Sequence, residues 1–395
     1  MVGSYTRLPR VSVVLATFNG ARFLPAQLES LAAQTLQPCE LVVGDDGSSD
    51  HTVEIVQAFA QRVNFPVRLQ RNATRLGYAD NFLTTAERAE GDLLAFCDQD
   101  DVWLPTKLEI ASRPLRRPRV MLSVHGALTV DEHLQPLERA RFRSGILTRA
   151  ILAGRLSTAL GSRMVCRSEL LRRLPVEPRP ASLDLDRSVA PHDEWLLFIA
   201  SILGEVVILP QRLILYRRHV QATSASGAPP ARRRLLTDAS HPPIAHTAVV
   251  AADRAAYLYE SAARLPNSPV VERLSVGAKR YEALSTRLTE RSRLRSQSSA
   301  RSAWWQFARL ASRGAYGRRR KGGLGWLWLV QDLQWLKSLG GQATSSAGNA
   351  TPCDRRALPP PHKPGAAQTD HPRMLDLSPV VAGSDVTSGD RGPQG

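Results

Sequence analysis

Cysteine is scarce in this chain: four in 395 residues, at positions 39, 97, 166 and 353. That excludes a disulfide-stapled scaffold. No CxxC spacing occurs, which excludes a zinc knuckle. No apolar run approaches the ~20 residues that a membrane-spanning helix needs. The opening, MVGSYTRLPRVSVVLATFNG, is basic and then apolar, as in a leader peptide. Its apolar stretch Val11 to Ala16 is too short for one, and it runs into Thr17, Phe18 and Asn19 rather than a small-residue cleavage site. The stretch therefore reads as a buried strand, and the expected location is cytoplasmic. Acidic residues are also in deficit, 36 Asp+Glu against 52 Lys+Arg. The remainder is ordinary for a globular protein, with 43% hydrophobic residues, which excludes disorder along the whole length.

The charge is unevenly spread. Residues 1–125 hold 13 Lys+Arg and 14 Asp+Glu, whereas residues 211–325 hold 22 and 6. Such a block suits a polyanion: phospholipid head groups, a polyprenyl diphosphate or nucleic acid. It is also what a solvated arginine-rich helical surface looks like. Interleaved aromatics are missing over most of it, so a nucleic-acid partner is not expected.

Along the first 125 residues, short apolar runs alternate with helical patterns. Strands are expected at Val11–Ala16, Leu41–Val43, Val67–Leu69 and Leu93–Cys97. Between them, Leu24, Leu28 and Leu31 recur at helical spacing, as do Val53, Val56 and Phe59, and Tyr78–Ala89 is helical. Asp50 stands where it can cap the second helix. Further strands are expected at Val120–His125, Ser162–Arg167, Glu205–Leu209 and Leu213–Tyr216, with a helix at Asp193–Ile202. The pattern implies βαβ units and a mostly parallel sheet with flanking helices. In such sheets ligands bind beyond the carboxyl ends of the strands. Three polar clusters follow strands here: Thr17-Phe18-Asn19, Asp45-Asp46 and Asp98-Gln99-Asp100-Asp101. Topology would gather them on one edge. Residues 226–340 read as helical and basic. From about 341 the chain is rich in Ser, Gly, Pro and Ala without aromatics, and disorder is expected.

Asp98-Gln99-Asp100 sets two carboxylates two apart at a strand end. Mg²⁺ or Mn²⁺ takes such oxygen ligands and leaves room for substrate phosphates. An acidic turn that caps a helix would look the same. Asp45 and Asp46 could accept hydrogen bonds from a base or a ribose, although Asp-Gly is also ordinary turn chemistry. In His192-Asp193-Glu194-Trp195, Asp193 lies beside a helix N-terminus that favours its ionised form, as a general base requires or a helix cap provides. His219, after Arg217-Arg218, could complete a metal shell or simply sit at the surface.

Taken in order, VSVVLATFNG, LVVGDDGSSDHT, LGYADNF, LLAFCDQDDVWLPTKLE and PHDEWL resemble the inverting family 2 glycosyltransferases of GT-A fold, in the bacterial rhamnosyltransferase-like branch. The resemblance covers about residues 10–220. It implies a metal-dependent transfer of a sugar from a nucleotide donor to a cell-surface glycan or polyprenyl-linked acceptor, with rhamnose from a deoxythymidine-diphosphate carrier as the expected donor. The implied donor pocket is Thr17, Phe18, Asn19, Asp45 and Asp46, with Asp98 on the ribose or sugar. Asp100 and His219 are the implied metal ligands, Asp193 the base, and Trp195 and Asp101 the acceptor side. The chain departs from the family after His219, where it reads Val220-Gln221-Ala222-Thr223. The implied organisation is a catalytic domain at 1–225, a basic helical region at 226–340 and a tail at 341–395.

Two other classes fit parts of the sequence. A nucleotidyltransferase would carry a Gly-rich, Lys- or Arg-bearing loop after the first strand, where this chain has Thr17-Phe18-Asn19-Gly20. An inactive domain serving as a polyanion binder would not need Asp46, Asp98, Asp100 and Asp193. The Trp-rich stretch at 323–340, preceded by Arg318-Arg319-Arg320-Lys321, suits either a membrane interface or a helix packed on the protein. Peripheral contact with the inner face of the cytoplasmic membrane is expected on the first of these.

Overall fold

The computed structural model describes residues 9–137, 161–174, 177–184, 187–219, 244–317 and 326–345. The first apolar run forms β1 (Val11–Thr17), buried almost throughout. It pairs with β2 (Glu40–Asp45) and β4 (Leu93–Asp98), and β2 pairs in turn with β3 (Val67–Arg71), all parallel. The second half adds β5 (Val102–Trp103), β6 (Val120–Val130), β7 (Met164–Arg167) and β8 (Glu205–Arg217). Together they make an eight-stranded sheet in the order β3-β2-β1-β4-β7-β6-β8-β5. Only the pairs that involve β7 or β5 are antiparallel. The expected α/β class with a mostly parallel sheet is therefore what the chain adopts.

The two faces of β1 feed two cores, as a strand period of two demands. Val11, Val13 and Leu15 pack with α1 (Leu24–Ala32), α2 (Thr52–Ala60) and α4 (Lys107–Ser112). Val14 faces the other way, toward α3 (Tyr78–Glu87) and α6 (His192–Leu203). A short α5 (Glu169–Arg173) precedes α6. The basic region contributes α7 (Ile244–Arg264), α8 (Val271–Arg295), α9 (Ala300–Ser312) and α10 (Trp326–Ser345). Tyr257, Leu258 and Leu274 of α7 and α8 join the Val14 core, so these helices extend the layer on that side of the sheet. A third cluster, around Leu288, Leu310 and Leu336, ties α7 to α10.

Two strands expected at 205–209 and 213–216 are one. Pro210 has no N–H to donate, but pairing with β6 steps over it: Val124 meets Ile208 and Gly126 meets Arg212. The irregularity turns Pro210 and Gln211 outward, where the missing donor costs nothing. The tail expected from 341 starts later, since α10 runs to Ser345. Contacts divide the chain into a unit at 1–344 and a second at 345–395. The expected disorder from 346 onward, the Arg318–Lys321 run and residues 220–243 lie outside the described residues.

The Trp-rich helix packs on the protein. Asp332 of α10 is fully buried and takes Arg291 Nε at 2.8 Å and Arg295 at 2.9 Å, with Tyr316 Oη donating at 2.9 Å. Trp328 lies 4.0 Å from the Arg291 guanidinium. An ion-paired acid at its centre fixes this helix against α8.

Close approach of α3 to β2 is set by Gly44. A Cβ there would stand 1.9 Å from Thr85 Oγ1 and 2.4 Å from Asn81 Oδ1. Gly44→Ala should lower stability by about 1–3 kcal/mol through overpacking, measured by denaturant unfolding. An unchanged midpoint would contradict the tight α3–β2 contact.

Candidate functional site

Because β1, β2 and β4 are parallel, their carboxyl ends share one edge. Thr17 lies abreast of Asp45, and Ala16 abreast of Asp98. β8 runs parallel to β6 and ends on the same edge, which brings in Arg217 and His219. His219 Nε2 lies 2.8 Å from Asp100 Oδ2. Residues 119 apart in sequence thus meet, as the expected metal pair requires. The His219 ring rests on Phe23, centroids 4.5 Å apart.

Arg217 holds the acidic turn in place. Its backbone N–H donates to Asp101 Oδ1 at 3.1 Å, and its Nε donates to the Asp100 carbonyl at 2.7 Å. Beneath the turn, Lys107 is fully buried. Its Nζ donates to the Ser162 carbonyl at 2.6 Å and sits 3.2 Å from the Trp103 ring centroid. Burial pushes the Lys107 ammonium down to about 7, opposed by the charges of Cys97, Asp101 and Asp98. Sequence reading passed over both cations. The only signal for Lys107 was its place six residues after Asp101 in an otherwise apolar run.

Burial and the Asp100 charge push Asp98 up to about 7, and the Asp193 charge adds to it, while Ser162 and Lys107 oppose. Asp193, near the start of α6, therefore faces the same acidic group. Its Oδ1 accepts the Glu194 N–H at 2.9 Å. Glu194 is buried and holds α6 in place: it takes Ser182 Oγ at 2.8 Å, Leu183 N–H at 3.0 Å and Arg254 of α7 at 2.5 Å. His192 is buried against Phe82, Phe96 and Tyr78, and burial pushes it down to about 4, so it is neutral near pH 7.

The β1 loop is zipped to its neighbours. Gln99 clamps Phe18 at both ends: Phe18 N–H donates to Gln99 Oε1 at 2.9 Å, and Gln99 Nε2 donates back to the Phe18 carbonyl at 3.0 Å. A Cβ on Gly20 would lie 2.2 Å from Gln99 Oε1, so any larger residue there would push the Gln99 amide off Phe18. Asn19 takes a left-handed φ of 49° and accepts the Ser49 N–H at 2.9 Å. Asp50 accepts Thr52 N–H at 3.1 Å and Ala21 N–H at 3.0 Å, but it stands one residue before the helix cap, which is His51, and so does not fill the expected capping place. The guanidinium of Arg75 sits 3.8 Å from the Phe18 ring centroid, a pairing that sequence alone did not suggest.

Several expected roles need correction. Asp45 is fully buried, and its carboxylate is spent on Thr17, Ser48 and Arg71. It builds the turn and does not face a ligand. Asp46 is also buried, and accepts Leu76 N–H at 2.7 Å, Asn72 Nδ2 at 3.0 Å and Gly77 N–H at 2.8 Å. It anchors the 72–77 loop, and any contact with a base would use its remaining lone pairs. Trp195 and Asp101 do not line an acceptor side. Trp195 is at 0% exposure in the core, its Nε1 donating to Tyr257 Oη at 3.3 Å. Asp101 is equally buried, with burial and the charges of Asp98 and Asp100 pushing it well above the carboxylate range.

A divalent cation suits this edge. The repulsion that raises Asp98 and Asp101 is the kind a cation relieves, and Asp100 with His219 supplies hard oxygen and imidazole donors. Among the described residues no three such side chains form a ready cage.

Residues 12–174 match the family model described as Glycosyl transferase family 2. An uncharacterised protein of Mycobacterium bovis is 28% identical over 218 residues, 53% of this chain and 59% of that protein. The chain thus spans little more than half the length of that relative. A UDP-Glc:alpha-D-GlcNAc-diphosphoundecaprenol beta-1,3-glucosyltransferase of Escherichia coli is 34% identical over 100 residues, 25% of this chain and 38% of that one. Among solved structures, S. aureus TarS 1-349 in complex with UDP-GlcNAc superposes with a TM-score of 0.45 at 17% identity, over 78% of this chain and 93% of that one. The front of the chain, residues 12–174, is thus similar to glycosyltransferases of family 2.

Asp98 carries the pH behaviour of the metal-free site. Its folded value, about 7, exceeds the ordinary 3.8. Between those values the folded state holds the extra proton, so stability falls as pH rises. Asp98→Asn removes this contribution. The thermal midpoint of the variant should therefore rise relative to the parent between about pH 4 and pH 7. Parallel profiles would contradict the crowding of acids at this edge.

Proposed function

We propose that the chain is an inverting, metal-assisted glycosyltransferase of family 2 and GT-A type. It moves a sugar from a nucleoside-diphosphate donor to a hydroxyl of a cell-surface glycan or lipid-linked acceptor. Deoxythymidine-diphosphate-rhamnose is the first donor to test, on the motif resemblance. The observation that carries the reading is the acidic turn at the end of β4, where His219 Nε2 lies 2.8 Å from Asp100 Oδ2, with the Asp193 charge on α6 near enough to act on Asp98. Two acidic functions, one beside the leaving group and one at the acceptor, are what a single displacement needs.

The step balances simply. The acceptor hydroxyl oxygen attacks the anomeric carbon, and the bond from that carbon to the diphosphate oxygen breaks. The electron pair leaves with the diphosphate, and Asp193 takes the hydroxyl proton. The anomeric configuration inverts. Thr17, Phe18 and Asn19 would form the floor under the nucleotide, with Arg75 over Phe18 and Asp46 behind. Asp98 would meet the ribose or sugar. Asp100 and His219 would hold the Mg²⁺ or Mn²⁺, whose charge offsets that of the departing diphosphate. The name of the Escherichia coli relative, with its diphosphoundecaprenol acceptor, supports a lipid-linked acceptor here. No helix of the described residues is long and apolar enough to cross a membrane, so we place the work at the inner face of the cytoplasmic membrane. The proposed catalytic domain is residues 1–225, with the helical annex running from 226 to the end of α10 at Ser345 and the remainder as a tail.

Asp193→Asn should lower transfer by about a hundredfold or more with donor binding retained. Asp100→Ala should remove the metal dependence of turnover and weaken donor binding. Product formation from candidate nucleotide sugars, with donor affinity measured alongside, separates the two. Near-parental transfer by Asp193→Asn would overturn the base assignment.

A further inference from the structure

The Trp-rich stretch of α10 packs inside the protein, whereas two other tryptophans stay largely in solvent, one edge-on to Phe307 with ring centroids 5.7 Å apart and the other 5.6 Å from the Arg309 guanidinium. Trp304 and Trp305 of α9 are 44% and 62% exposed, the latter more than any other aromatic side chain among the described residues. Their helix is apolar on its inner side, where Ala303, Phe307 and Leu310 are buried against Leu336. At 100° per residue, Arg301, Trp305, Ala308 and Ser312 share the opposite side, with Trp304 at one border and Arg309 at the other. That outward face has one cation and no acid. Arg309 and Arg313 flank it. They meet a single acid, Glu290 of α8, at 3.7 Å and 3.2 Å. The chain then continues into Arg318-Arg319-Arg320-Lys321.

We infer that the outward face of α9 is a docking site for an anionic lipid surface. Tryptophan has an apolar body and one N–H, so it settles at the boundary between head groups and acyl chains. Arginine beside it meets the phosphates of anionic lipids. A bulky apolar pair with arginine within and beside it is the chemistry of an interfacial helix. The charge of the region, 22 Lys+Arg against 6 Asp+Glu over residues 211–325, is complementary to such a surface. A second copy of the chain would carry the same positive charge to the same patch and be repelled. The inference does not depend on the sugar-transfer reading.

The test is co-sedimentation of the full chain with vesicles of phosphatidylcholine, with and without phosphatidylglycerol. Binding to the anionic vesicles alone is expected, released by salt. The double variant Trp304→Ser/Trp305→Ser should partition about tenfold or more less strongly. A control, Val249→Ser/Val276→Ser, alters residues 62% and 63% exposed on α7 and α8 and should bind as the parent does. Brominated lipid should quench tryptophan fluorescence in the parent far more than in the double variant. Circular dichroism checks that each variant is folded. Three outcomes would overturn the inference: no binding to anionic vesicles, equal binding by the double variant, or a tryptophan-dependent dimer or RNA complex formed in place of vesicle binding.

Discussion

Like charges crowded on one dry edge of the sheet are the constraint on which the rest of the site depends. Parallel pairing of β1, β2 and β4, and the return of β8, leave Asp98, Asp100 and Asp101 together, with Asp193 acting on Asp98 from α6. Acids this close raise each other and resist ionisation unless cations answer them. The protein answers in part. Lys107 lies buried beneath the turn and Arg217 binds its backbone and the Asp101 carboxylate. The balance falls to what binds. A site with this electrostatic deficit is prepared for a divalent cation and for a substrate that brings one.

Arginine in the C-terminal region works in two directions. Arg254 reaches from α7 to Glu194, beside the proposed base, with side chains 6% and 5% exposed. Arg291 and Arg295 close on the buried Asp332. Removing one member of such a pair leaves an uncompensated charge, which costs several kcal/mol. Arg254 ties the annex to the catalytic layer, and Arg291 and Arg295 tie α10 to α8 within it. The excess of Lys+Arg over Asp+Glu in residues 211–325, 22 against 6, is what a polyanion can meet. A net charge alone could not distinguish these two uses.

The layered fold was legible because its central strands are nearly pure apolar runs and its helices carry Leu at helical spacing. The edge was legible as far as strand ends predict it: Asp98 ends β4, and Asp100 meets His219 at 2.8 Å. What was not legible depends on contacts between distant residues. Asp45 and Asp46 looked like ligand contacts, yet backbone N–H groups and hydroxyls from distant segments occupy them. Trp195 looked accessible beside Asp193, but a helix buried on most sides has no acceptor face at that position. The role of Gln99 as a clamp needed the geometry of Phe18, which a two-residue motif does not contain. Pro210 suggested a break that a bulge absorbs.

The most direct measurement is a calorimetric titration of the full chain with nucleoside diphosphates and nucleotide sugars, each with and without Mn²⁺. The account expects one nucleotide class to bind only when the cation is present, with binding weakened by Asp98→Asn and by His219→Ala. A folded chain that binds no nucleotide with or without the cation would contradict the claim that this acidic edge is a donor site.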